Sequence, residues 1–210
     1  MHHPVSAKTI ANYSSRCDSY EQMTKDRDIR EAYDFFLSRL PSKTSVQNQQ
    51  VILDLGCGPG RDLAAFDDMG YRAIGLDGCP EFCQIAEVNS DCEVWQQDFL
   101  ELDLPSDYFD GMFSYASLFH VPKQELSKVL KQLWKALKPQ GVLFVLNPNE
   151  QKEGEMPDGR YASVLDPNEE TRIYAAEGLQ QIDRKLFPPY LPPTGPPWRG
   201  TIYRKVDKPS

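Results

Sequence analysis

"VILDLGCGPGRD", residues 51–62, joins a short run of mainly apolar residues to three glycines, Gly56, Gly58 and Gly60. The run predicts a buried β-strand that ends at Leu55. Glycine has no Cβ and tolerates positive φ, so the turn after the strand can approach a ligand closely. In an open parallel sheet, ligands bind at the carboxyl ends of the strands. The stretch therefore predicts a ligand site directly behind this strand.

The spacing of the glycines argues against two common phosphate-binding turns. A dinucleotide-binding turn reads G-x-G-x-x-G, and its third glycine would fall at Arg61. A P-loop needs Gly-Lys-Ser/Thr, which does not follow here. The strand also carries an acid, Asp54, two residues before Gly56. Its carboxylate would repel a pyrophosphate and attract an amino group.

Short β-forming runs alternate with helix-like stretches along the rest of the chain. The predicted strands are 51–55, 71–77, 92–98, 109–115, 141–147, 179–187 and 200–206. The predicted helices are 26–40, 60–69, 80–89, 123–137 and 168–178. The alternation favours an α/β fold around a parallel sheet with right-handed crossovers. The last two strands, joined by a loop, predict an antiparallel C-terminal hairpin at the sheet edge.

Composition narrows the class of protein. The formal net charge of −8 argues against a surface that neutralises nucleic-acid phosphates. No apolar run approaches the roughly 18 residues of a membrane span, and the first residues lack a secretory pattern, so we expect a cytoplasmic protein. The five cysteines have no paired C-x-x-C spacing, so neither a disulfide framework nor a metal site is predicted.

The segment DLGCGPG, residues 54–60, resembles the first motif of the class I S-adenosylmethionine-dependent methyltransferases. The resemblance covers about Val51 to Leu146. It implies a three-layer α/β/α, doubly wound fold with a mostly parallel seven-stranded sheet and an antiparallel C-terminal hairpin. It also implies one methyltransferase domain over 46–210, preceded by an N-terminal helical lid segment over 1–45.

The resemblance assigns cofactor-binding residues along the chain. Asp77 at the end of AIGLD, followed by Gly78, matches the acid that accepts hydrogen bonds from the ribose hydroxyls. Asp98 and Phe99 match the pair that binds the adenine. The remaining residues that we assign to S-adenosylmethionine, around the glycine turn and after the fourth strand, are Asp54, Gly56, Gly58, Gly60, Arg61, Ser114 and Ala116.

His120 is the candidate catalytic base, because it follows the fourth strand and histidine titrates near neutral pH. The alternative is a histidine that packs against the cofactor or bonds the backbone of SLFHVP. Tyr13 and Tyr20 match tyrosines that cover the cofactor in similar proteins. Arg16 and Arg27 are either partners for a carboxylate or exposed surface charges.

Substrate identity is expected to lie in the loops. DGRY, residues 158–161, resembles a segment of some small-molecule methyltransferases, so Arg160 and Tyr161 are candidate substrate contacts, although a turn before a strand explains them equally well. The proline-rich loop PPYLPPTGPPW is expected to bring Tyr190 or Trp198 over the site.

Together these features predict methyl transfer to an oxygen, nitrogen or sulfur atom of a small molecule, with no nucleic-acid or membrane partner, by a monomer or homodimer. Two alternatives stay open. One is a protein methyltransferase acting on lysine or histidine. The other is a catalytically silent, cofactor-binding subunit that regulates a partner.

Overall fold

The computed structural model describes residues 4–42, 49–188 and 195–207. The helices in these ranges are α1 (Pro4–Ser14), α2 (Cys17–Thr24), α3 (Arg30–Leu37), α4 (Arg61–Asp68), α5 (Pro80–Ser90), α6 (Lys123–Ala136) and α7 (Pro167–Ala176). The strands are β1 (Val51–Leu55), β2 (Arg72–Asp77), β3 (Glu93–Gln96), β4 (Phe109–Tyr115), β5 (Leu137–Pro148), β6 (Lys152–Glu155), β7 (Tyr161–Val164), β8 (Leu179–Phe187) and β9 (Trp198–Lys205).

Seven strands form one sheet in the order β3-β2-β1-β4-β5-β9-β8. The pairs from β3 to β5 are parallel, whereas β5 pairs with β9 and β9 with β8 in antiparallel fashion. The predicted fold class is therefore confirmed, including the C-terminal hairpin. The reversal of strand order between β1 and β4 opens a crevice at their carboxyl ends, the usual ligand position in such a sheet.

Strand β1, at the centre of the sheet, is buried on both faces. Leu53 and Leu55 pack with α6 and α7, and Ile52 packs with α3, α4 and α5. On the face covered by α3, α4 and α5, the Phe113 ring stacks on the Phe144 ring with centroids 4.9 Å apart, and both rings are fully buried. Burial of each such ring stabilises the fold by roughly 1.5–3 kcal/mol.

The structure differs from the predicted elements in two places. Helix α6 ends at Ala136, one residue before its predicted end, but β5 begins directly at Leu137, which pairs with Phe109, whereas we predicted a strand beginning at residue 141. Gln140 adopts a φ of 66° there, a conformation the sequence did not indicate. The second difference is an unpredicted two-stranded sheet, β6–β7, whose first strand is mostly charged and shows no apolar alternation.

The N-terminal helices cover the crevice. Helix α3 is amphipathic and buries Ala32, Tyr33 and Phe36 against the sheet, and it is shorter than the predicted helix over 26–40. Helices α1 and α2 lie over the carboxyl ends of the strands, where Ser6, for instance, bonds Asp98. The proposed division into a lid over 1–45 and a domain over 46–210 stays a prediction. In the described parts of the chain, no helix combines the length and apolar character of a membrane span.

Candidate functional site

A cavity lies at the carboxyl ends of β1, β2 and β4, under α1 and α2. It encloses about 720 Å³, its open mouth included. The predicted residues that line it are Tyr13, Tyr20, Gly56, Gly58, Asp77, Gly78, Asp98, Phe99, Ala116 and His120. We call this the first cavity.

The glycine turn forms the floor of the first cavity. Gly56 and Gly58 have φ values of 82° and 52°, so the positive φ expected of the turn is present. A Cβ at Gly56 would lie 2.4 Å from Ser117 Cβ, which leaves no room for a side chain. A Cβ at Gly58 would meet only the Tyr20 ring, at 3.9 Å, so its space opens toward the cavity. Gly60 instead packs against Ala86 of α5 and does not line the cavity.

Asp77 holds the glycine turn from the neighbouring strand. Its Oδ2 accepts a hydrogen bond from the Gly58 amide at 2.9 Å, and its Oδ1 accepts one from the Cys79 amide at 2.8 Å. Burial raises the pKa of this carboxyl, and the two amides oppose that rise. Each carboxylate oxygen has a second lone pair, so Asp77 can accept further hydrogen bonds from a ligand.

Asp98 lies at the other side of the first cavity and is 7% exposed. Its Oδ1 accepts from the Leu100 amide at 3.0 Å, which caps the 3₁₀ turn Phe99–Glu101. Its Oδ2 accepts from the hydroxyl of Ser6 in α1. The carboxylate therefore joins the sheet to the helix that covers it.

Three of the predicted cofactor residues lie behind the wall of the cavity. Asp54 is 1% exposed, and burial, reinforced by the charge of Asp62, raises its pKa well above the ordinary value. Its Oδ2 has no hydrogen-bond partner among the described residues. Arg61 bonds Asp62, with Nε 2.7 Å from Oδ1. Ser114 lies within hydrogen-bond distance of Ser117, at 2.8 Å between the hydroxyl oxygens. Their predicted cofactor roles stay predictions.

His120 lines the first cavity from the turn Leu118–His120. Its Nδ1 donates to the Tyr161 carbonyl, so in the neutral ring Nε2 accepts from the Tyr13 hydroxyl, 2.9 Å away. Burial, with a smaller contribution from the nearby Arg160, lowers the pKa of His120 to about 4. The alternative considered from the sequence was a bond to the SLFHVP backbone, whereas the ring bonds the carbonyl of Tyr161 in another segment. The role of catalytic base stays a prediction.

The low pKa of His120 predicts a loss of stability in acid. The unfolded chain binds a proton near the ordinary pKa of 6.5, but the folded protein does so only near pH 4, so the free energy of unfolding falls as the pH drops through this window. We expect this residue to account for about 2 kcal/mol between pH 7 and pH 4.5. Urea unfolding of the wild type and of His120→Gln at both pH values measures the difference. An equal pH dependence of the two proteins would contradict it.

A second cavity, of about 950 Å³ with its open mouth included, adjoins the first. Tyr13, Tyr20 and Ala116 line both. The other residues of the second cavity are mainly apolar or at its mouth: Phe119, Pro148, Glu150, Gln151, Lys152, Met156, Arg160, Ala162, Val164, Pro196 and Trp198. A molecule in the second cavity would thus contact one in the first beside Tyr13, Tyr20 and Ala116.

Of the predicted substrate residues, Arg160 and Trp198 line the second cavity and Tyr161 does not. Tyr161 donates its hydroxyl to Glu153 and uses its backbone to bond Thr9 and His120. Tyr190 lies outside the described residues.

Neither Arg16 nor Arg27 lines either cavity. Arg16 Nη2 lies 3.5 Å from Asp158 Oδ2, and Arg27 Nε donates to the Met23 carbonyl at 3.4 Å. These positions agree with the expectation of surface charges more than with that of carboxylate partners.

Sequence reasoning missed several residues of the first cavity. Ser6, Thr9 and Ile10 come from α1, and Phe82 comes from α5. The spacing of Ser6, Thr9, Ile10 and Tyr13 places them on one helix face, and that pattern was the available signal. Which face meets the crevice depends on how α1 packs, and a short helix does not reveal this by itself.

The cysteines belong to the packing around the site. All five are free thiols, and Cys57, Cys79 and Cys83 are buried. Burial raises the pKa of Cys79 to about 11 and that of Cys83 to about 12, so both stay protonated near neutral pH. Over the described ranges there is no group of histidine, cysteine and acidic residues that could hold a metal ion.

Residues 52–141 match a protein-family model described as a methyltransferase domain. The match begins in β1 and includes the glycine turn, Asp77, Asp98 and His120. The match covers less than half of the chain and shows a likeness to methyltransferase domains. Among curated proteins, trans-aconitate 2-methyltransferase from Escherichia coli is 34% identical over 122 residues, which is 54% of this chain and 43% of that protein. The first five curated matches span between 29% and 43% of the relatives' own lengths.

Solved structures share the fold of this chain over nearly its whole length. A 1,6-didemethyltoxoflavin-N1-methyltransferase from Burkholderia thailandensis, bound to 1,6-didemethyltoxoflavin and S-adenosylhomocysteine, has a TM-score of 0.76 at 21% identity and covers 99% of this chain and 92% of its own. The cyclase SpnF has a TM-score of 0.73 at 14% identity, with 98% of each chain covered. The same fold thus occurs in proteins named for different reactions, so the site must decide the function.

Proposed function

We propose that this protein is an S-adenosylmethionine-dependent methyltransferase that acts on a small-molecule acceptor. The observation that carries the proposal is the pair of joined cavities. One has the glycine turn and two carboxylates, and the other is mainly apolar. Two molecules held in them would meet beside Tyr13, Tyr20 and Ala116.

The first cavity fits S-adenosylmethionine. Its glycine cradle opens at Gly58, where a Cβ would project into the space toward Tyr20. Asp77 keeps acceptor capacity for the ribose hydroxyls, and Asp98 with the Phe99 amide would bind the adenine. The unpartnered oxygen of Asp54 lies behind the turn and would accept a hydrogen bond from the amino group of the methionine part.

When bound, S-adenosylmethionine supplies a methyl group on a positively charged sulfur, which a nucleophile attacks in line. The chain's own residues need mainly to orient the two molecules and exclude water. Helices α1 and α2 provide the cover. The Thr9 hydroxyl accepts a hydrogen bond from the Tyr161 amide at 2.9 Å and so joins α1 to β7. Tyr13 and Tyr20 lie between the two cavities and line both.

The second cavity favours a flat, largely apolar acceptor. Phe119 and Trp198 are buried and meet edge to face, with ring centroids 6.0 Å apart. Such rings bind apolar and aromatic molecules well. Lys152 and Glu150 are exposed at the mouth and can bind polar substituents. The net charge of −8 supports a neutral or cationic small molecule over nucleic acid.

Calorimetric titration with S-adenosylmethionine, S-adenosylhomocysteine and NAD tests the cofactor. We expect micromolar binding of the first two and none of NAD. Release of S-adenosylhomocysteine is then measured with a panel of acceptors: trans-aconitate, 1,6-didemethyltoxoflavin, catechol and quinoline. Failure to bind either sulfur compound would overturn the proposal. Binding without turnover of any small molecule would instead favour a protein substrate or a silent regulatory subunit.

A further inference from the structure

Tyr13 lies where the two cavities meet and is the centre of a continuous set of polar contacts. Its hydroxyl oxygen is 2.9 Å from His120 Nε2 and 2.8 Å from Arg160 Nη1. Arg160 in turn donates from Nε to Asp158 Oδ2 at 3.0 Å, and His120 donates to the Tyr161 carbonyl. The contacts therefore run from Asp158 through Arg160 and Tyr13 to His120.

The positions of the protons follow from the donors available. A carbonyl only accepts, so the His120 proton is on Nδ1 and Nε2 must accept. Tyr13 therefore donates its O–H to His120 and accepts from the Arg160 guanidinium. A phenol oxygen has two lone pairs, and Arg160 occupies one of them. The remaining lone pair can accept a hydrogen bond from a molecule beside Tyr13.

Arg160 is committed to Tyr13 and Asp158. Its Nη2 lies 2.8 Å from Asp158 Oδ2, and its guanidinium carbon lies 5.2 Å from the centre of the Tyr13 ring. Arg160 holds the pKa of the Asp158 carboxyl low, at about 2, so the ion pair persists across the neutral range. Arg160 is thus a positioning residue that fixes the Tyr13 hydroxyl, rather than a free cation for an acidic substrate.

We propose that the Tyr13 oxygen receives the acceptor's proton during methyl transfer and passes its own proton to His120 Nε2. This inference rests on the proposed function. The N–H or O–H bond of the acceptor breaks, and its electron pair forms the bond to the methyl carbon. The electrons of the methyl–sulfur bond stay on sulfur, and His120 leaves the step as imidazolium. Tyr13 is then the catalytic residue that touches the acceptor, and His120 acts through it.

Three charged side chains influence the protonation of Tyr13 and His120. Asp77 and Asp158 favour a positive charge near Tyr13 and His120, and Arg160 opposes it. Arg160 and burial together keep His120 neutral before the reaction, ready to accept a proton. A neutral His120 is required, so transfer from a protic acceptor is expected to fail only in acid, near pH 4.

Tyr13→Phe tests the inference, with Tyr108→Phe as the matched control. Tyr108 lies outside both cavities, beside Phe109 at the start of β4. With S-adenosylhomocysteine bound, imidazole ¹⁵N NMR follows the titration of His120. Loss of the Tyr13 hydroxyl removes a donor that stabilises neutral His120, so its pKa should rise by roughly one pH unit in Tyr13→Phe. It should not move in Tyr108→Phe.

Kinetics separate a chemical role for Tyr13 from a structural one. For the fastest O–H or N–H acceptor of the panel, Tyr13→Phe should lower kcat roughly 30-fold with little change in KM. Quinoline has no proton on its ring nitrogen, so its methylation should be slowed much less. An unmoved His120 titration, or equal slowing of protic acceptors and quinoline, would overturn the inference. Failure of the proposed function is distinct, because the wild-type protein would then either not bind S-adenosylhomocysteine or methylate no acceptor of the panel.

Discussion

Gly56→Ala will lose several kcal/mol of its free energy of unfolding. Two costs add at this position. Alanine at a φ of 82° costs about 1–2 kcal/mol, and its Cβ would lie 2.4 Å from Ser117 Cβ and 2.7 Å from Ser117 Oγ. Forced overlap of this kind costs roughly 1–3 kcal/mol more. Ser117 cannot move freely, since its hydroxyl donates to the Leu55 carbonyl at 2.5 Å.

Urea unfolding measures this loss, and Gly70→Ala is the control. Gly70 has nearly the same φ, 83°, but a Cβ there would meet nothing within 4 Å. It follows α4 on the surface and lines neither cavity. Gly70→Ala should therefore lose only the conformational cost, about 1–2 kcal/mol. Equal losses in the two variants would show that the contact with Ser117 does not limit this position. If Gly56→Ala does not fold, its failure beside a folded Gly70→Ala gives the same ranking.

Asp77→Asn will bind S-adenosylhomocysteine about 100-fold more weakly than the wild type. Both carboxylate oxygens accept backbone amides, from Gly58 and Cys79. Asparagine has only one side-chain oxygen, so its NH₂ group must face one of the two backbone N–H donors. The negative charge opposite the ribose hydroxyls is also lost. The loss of charge-assisted hydrogen bonds costs roughly 1.5–3 kcal/mol, which corresponds to this change in Kd.

Calorimetry of Asp77→Asn and Asp91→Asn checks this prediction. Asp91 caps α5 at a φ of 55°, is exposed, and lies outside both cavities. Asparagine tolerates that conformation, so Asp91→Asn should bind S-adenosylhomocysteine as the wild type does. A folded Asp77→Asn with unchanged affinity would contradict the placement of the ribose beside Asp77.

The acids and glycines of the first cavity were accessible from the sequence because each follows a strand. Parallel strands bring their carboxyl ends to one edge, so Gly56, Asp77 and Asp98 were expected at the same edge once a parallel sheet was predicted. The cavity confirms this proximity. Asp54, Gly60 and Arg61 belong to the same motif, yet they lie behind the turn and do not line the cavity. Which residues of the motif face the cavity depends on how the surrounding side chains pack.

The sequence by itself determined the sheet, its alternation with helices and the position of the glycine turn, because hydrophobic periodicity and glycine conformation are local properties. Only the tertiary structure decided the second cavity and the contacts of Tyr13. Tyr13, His120 and Arg160 come from three separate segments, and their hydrogen bonds exist only after α1 and β7 pack around the end of β4. Contacts between distant segments depend on how whole elements pack, which no local pattern specifies.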